Sequence, residues 1–138
     1  MPIFQTQTLS FRQEMLQAVH NLLTDTIKLA LYTSASGLNE ATTVYSATDE
    51  VSGTGYSAGG IVLTGATISA SNSVVFVNFN NAVWDPASFT AAGGLIYNAS
   101  KSNKSIAVLS FGGDKTAAST FTVTMPPNTY NSALLRFT

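Results

Sequence analysis

The chain holds one histidine, His20, so any hydroxyl- or base-assisted catalysis of the Ser–His type must run through it. His20 sits at the margin of an apolar helical stripe, one turn after Leu16. No second histidine or carboxylate stands at metal-ligand spacing from it. It reads as a structural side chain. Asp49 and Glu50 are adjacent acids inside a long polar stretch; with no histidine or third carboxylate nearby they read as a solvated turn. Gly93-Gly94 lacks the GxxxxGK[ST] or GxGxxG spacing of a phosphate loop, and no helix pattern follows it. Paired glycines in a strand pattern instead mark a bulge or the close approach of another backbone. There is no GxSxG elbow, and the seven acids favour no pair that would flank a glycosidic bond. With no cysteine there is neither a disulfide nor a thiolate metal site. The residues predict no enzyme, no catalytic centre, no cofactor and no metal.

Composition points to packing rather than chemistry. At 138 residues the chain is one domain's worth, yet only 9% of it is charged, against about 25% in ordinary soluble domains. Eighteen Thr, 16 Ser and 10 Asn fill the gap. A surface of hydroxyls and amides near zero net charge is hydrated but weakly self-repelling, which suits a subunit packed beside others, or simply a β-rich protein that uses Thr for its β-propensity. The net charge of −1, without a basic cluster, gives no footprint for nucleic acid. No apolar run reaches the ~18 residues of a membrane helix, and no basic amphipathic face is present. MPIFQTQTLS carries no basic region or apolar core, so no signal peptide is expected, and the sequons at Asn98 and Asn103 read as turns.

Taken in order, residues 1–9 read as an extended arm, either a frayed terminus or one that reaches across a neighbour, since Ile3 and Phe4 are awkward to leave in water. Residues 10–23 read as the one helix, opened by a capping box of Ser10 and Gln13. Its stripe is Phe11, Met15, Val19 and Leu22, widened by Leu16 and Leu23. TIKLALYT (26–33) alternates as a strand, and residues 34–60 form a long loop divided by a short strand around Val44 and Tyr45. EVSGTGYSAGGIVL (50–63) is punctuation: its Gly and Ser cannot sustain a helix, and its apolar tail opens a run of close-spaced strands. SVVFVNFN (73–80) is apolar on both faces and should be covered on both. Residues 84–86 mark a turn, 101–104 a hairpin tip, 106–111 a strand, 112–115 a loop, and 133–137 the closing strand. The count of seven or eight short strands gives a mainly β fold, an antiparallel, jelly-roll-like β-sandwich over residues 10–138 with an N-terminal amphipathic helix. Loop aromatics Tyr45, Tyr56 and Tyr130, with Ile3, Phe4 and the sole tryptophan Trp84, are the candidate interface residues; Trp84 reads as a core or interface plug, burial within the domain being the commoner fate.

Three phrases carry a family resemblance: DTIKLALYTSASGLNEATTVYSATDEVSGTGYSAGGIVLTG (25–65), FTAAGGLIYNAS (89–100) and AVLSFGGDKTAAS (107–119). Together they resemble small structural proteins of tailed-bacteriophage virions. The resemblance covers about the last four-fifths of the chain and lies in strand-and-turn phrases, not in a catalytic motif. It implies a virion protein assembled in the host cytoplasm, with capsid decoration (cement) as the first expectation. Its partners would be the major capsid protein and its own copies, as a trimer. The alternative is a head-fibre, tail or baseplate component, including one that touches the host.

Overall fold

The computed structural model describes residue 3 and residues 5–137 of the chain. They form an antiparallel β fold with one short helix. The principal sheet has five strands in the order β1 (Thr6–Gln7), β8 (Lys104–Ala117), β7 (Phe89–Asn98), β2 (Ile27–Tyr32) and β3 (Ile61–Val62). A second sheet orders β10 (Leu135–Phe137), β5 (Val74–Asn78) and β4 (Thr67–Ser71), and a ribbon pairs β6 (Ala82–Trp84) with β9 (Phe121–Val123). The three phrases quoted above become β2 with its following loop, β7 and β8, so they fold as neighbours in one sheet.

The alternation of β2 explains how the layers assemble. Ile27, Leu29 and Leu31 enter the main core with Phe11, Leu135, Val77 and Ile106, between the principal sheet and the smaller ones. Ala30 and Tyr32 point the other way, into a second apolar layer with Leu95, Tyr97 and Val108. The long 34–60 segment covers that layer through Leu38 and Tyr45, so both faces of the central strands are dry. Gly93 and Gly94 meet the expected close approach. A Cβ on Gly93 would stand 2.4 Å from the Leu109 carbonyl oxygen, and one on Gly94 2.8 Å from Leu29 Cδ1. The β7–β8 register shifts beside them, between Ala91 and Gly93.

Several elements depart from the sequence reading. The helix α1 is Leu9–Leu16, not 10–23, and its N-cap is Thr8, whose hydroxyl accepts from the Phe11 N–H; Ser10 lies inside the first turn. After Gln17 the backbone turns left-handed at Ala18 (φ 58°), and the chain swings His20 inward. Phe11 and Leu22 of the expected stripe are buried, but Leu16 and Leu23 are 92% and 59% exposed. Met15 and Val19 are half-buried, so the expected stripe is buried only at its two ends. Residues 6–8 are no free arm: β1 pairs with Val108 and Ala107, and Ile3 packs against the second apolar layer.

The strands among the described residues number ten because several are only two or three residues long. Residues 112–115, read as a loop, form a bulged excursion within the single strand β8, opposite the register shift in β7. The 73–80 segment is the middle strand of its sheet. Phe76, Val77 and Asn78 are covered, but Val75 is exposed. The strand expected around Val44 is one bridge, to Lys104.

Candidate functional site

Glu50 organises the long loop. Its carboxylate accepts from the Tyr45 hydroxyl at 2.7 Å on Oε1, and on Oε2 from the Tyr56 hydroxyl and from the Gly59 N–H at 2.8 Å. Tyr56 also accepts from the Leu31 N–H, and Glu50 bridges Tyr32 on the outer edge of β2, so the clamp joins loop to sheet. Tyr45 stacks on Tyr97, whose hydroxyl donates to the Gly59 carbonyl at 2.6 Å. Burial pushes the phenols of Tyr32, Tyr45, Tyr56 and Tyr97 above their ordinary range, and the negative charge of Glu50 adds to the effect. Neutral phenols facing a carboxylate are stable donors, so the cluster ties the loop to the sheet. The reading of a solvated turn holds for Asp49, which is exposed in a turn, and is corrected for Glu50, which is half-buried with three donors. Pairing of a carboxylate with tyrosines 5 and 6 residues away is too weak a signal to single out in a loop of polar residues.

A second polar chain fixes the end of α1. Asn98, fully buried on β7, donates from Nδ2 to His20 Nδ1 at 2.9 Å and to Asp25 Oδ2 at 2.7 Å. With Nδ1 accepting, the ring hydrogen sits on Nε2 and is donated to Glu14 Oε1 at 2.8 Å. Lys101 closes the far end on Asp25 at 2.9 Å. Burial alone would raise the Asp25 pKa. The Asn21 N–H, Lys101 and Asn98 together outweigh burial and lower it to about 2. With both ring nitrogens bonded, His20 holds the chain after α1 against β7. The acid partner was missed because Glu14 lies six residues before His20, a distance that an unbroken helix would put on a different face.

The candidate interface residues do not converge. Trp84 is 3% exposed, ringed by Tyr56, Phe89 and Phe121, with its indole N–H lacking an acceptor, so it is an internal plug. Tyr45 and Tyr56 are half-buried in the Glu50 clamp, and Ile3 is half-buried on the second layer. Phe4 lies outside the described residues. Only Tyr130 stands open, at the rim of a groove of about 1240 Å³ between β8 and β9. Among the described residues no three His, Asp or Glu side chains gather as a metal site, and no helix is long and apolar enough to cross a membrane.

Compared with family models, characterised proteins and solved structures, the chain matches none.

Proposed function

We propose that this chain is a structural subunit of a tailed-bacteriophage particle, a decoration protein seated on the outside of the head. The observation that supports this reading is a charge-poor surface that leaves large apolar side chains in water. Leu9, Leu16 and Leu23 recur at seven-residue intervals along and beyond α1, each more than half exposed. Burying one such leucine against a neighbour contributes roughly 2 kcal/mol. The fold offers these side chains on a rigid base, because α1 is tied to the sheet by the Thr8 cap and the His20–Asn98 bond.

The role is mechanical rather than catalytic. Each subunit covers apolar surface against the major capsid protein and against its own copies, as a trimer, and the assembled shell gains stability by mass action. A symmetric oligomer converts several weak contacts into durable attachment. The resemblance carried by β2, β7 and β8 supports the same reading. The test is to mix the purified chain with expanded phage shells that lack it. Co-sedimentation and a higher temperature of shell rupture are expected; shells that neither retain the protein nor gain heat resistance would refute the reading.

A further inference from the structure

We infer that the free edge of β9 is a docking site for an extended, carboxylate-bearing peptide segment of a partner protein, added as an extra strand. The inference stands apart from the proposed head location and holds wherever on a particle the subunit sits.

The main chain sets up the edge. Among the described residues β9 pairs only with β6. The Ser119 carbonyl accepts from Ala87 N–H, and the Met125 N–H donates to Asn81 Oδ1, both on the β6 side. Strand alternation then turns residues 119, 121, 123 and 125 toward β6, and leaves the N–H and C=O of Thr122 facing the groove, with Thr120 and Thr124 on either side. All three threonines are exposed. An unpaired, ordered edge is a template for main-chain hydrogen bonds from an incoming strand.

The opposite wall is closed over part of its length, where β1 covers β8 at Ala107 and Val108 and the Gln5 side-chain oxygen accepts from the Ser110 N–H, so there an added strand finds its partners on β9. The groove of about 1240 Å³ exceeds a typical small-molecule pocket and suits several residues of chain. Its apolar surface comes from half-buried Phe111 and Leu134, which suit alternate apolar side chains of the incoming segment. Charge selects the rest. Lys115 and Arg136 line the groove, no aspartate or glutamate does, and neither cation has a carboxylate partner among the described residues. A carboxylate on the guest supplies the missing charge.

The experiment uses the full chain, isotope-labelled, titrated with a blocked eight-residue peptide of alternating valine and threonine bearing one central aspartate. A second peptide carries lysine in its place. We expect amide shifts at residues 120–124 and none at the β3 edge, with the lysine peptide binding roughly threefold or more weakly. Thr122→Pro removes the groove-facing N–H without touching the β6 ladder and should abolish the shifts. If that variant fails to fold, the double reversal Lys115→Glu with Arg136→Glu decides, by inverting the preference between the two peptides. Absence of shifts at millimolar peptide, equal binding of both peptides, or shifts spread over every strand edge would overturn the proposal. Broadening of the 120–124 amides with protein concentration alone would also overturn it, in favour of a second copy as the occupant.

Discussion

The Tyr45 hydroxyl donates to Glu50 Oε1 at 2.7 Å, and this pair pins the long loop against the face of the principal sheet that would otherwise be wet. Removing the acceptor strands three donors at once. Glu50→Ala should cost about 2–4 kcal/mol in urea unfolding, and Tyr45→Phe or Tyr56→Phe about 1 kcal/mol each. The double variant Tyr45→Phe with Glu50→Ala should cost less than the sum of the singles, because the two changes share a bond.

The same cluster sets the alkaline limit. The four phenols have folded values above the unfolded one of about 10, so the folded state holds their protons more tightly. Their contribution is intact below about pH 10 and falls as pH rises through the window between the unfolded and folded values. Stability measured from pH 8 to 12 should be flat and then drop. Glu50→Gln, which removes the adjacent negative charge, should narrow that window by lowering the phenol values.

On the acid side the sign reverses. Asp25 is held down at about 2, so its contribution is present above about pH 4 and is lost as pH falls toward 2. Asp25→Asn should lower stability at pH 7 and flatten the acid limb of the unfolding profile between pH 4 and 2. An acid limb unchanged from the parent would place the loss elsewhere.

Asn98 is the hinge of the second polar chain, and its replacement separates two neighbours. Asn98→Ala should cost about 2–3 kcal/mol, since His20 Nδ1 and Asp25 both lose a donor inside the fold. Gly93→Ala should cost a comparable amount for another reason, the collision of its new Cβ with the Leu109 carbonyl. Chemical denaturation of both variants checks these values.

What the sequence disclosed follows from period and local sterics. The alternation of Ile27, Leu29 and Leu31 marked a core strand, and Gly93-Gly94 marked a place where backbones meet, because both signals are local. The end of α1 was illegible because it depends on Asn98, which lies far along the chain and outcompetes a further helical turn for His20. Glu50 was misread for the same reason: adjacent acids look solvated until Tyr45, Tyr56 and Gly59 fold over them. Among the candidate interface aromatics described, packing inside a small sandwich takes Trp84 fully and Tyr45 and Tyr56 in part, and leaves Tyr130 exposed. The free edge of β9 was invisible, as edges are set by which strands fail to pair.

The central claim, that this chain is a repeated outer part of a phage head, is tested most directly by counting its copies in purified virions by quantitative mass spectrometry against the major capsid protein. Hundreds of copies per particle are predicted. Absence from the particle, or a count of a few to a few dozen, would contradict a decoration role.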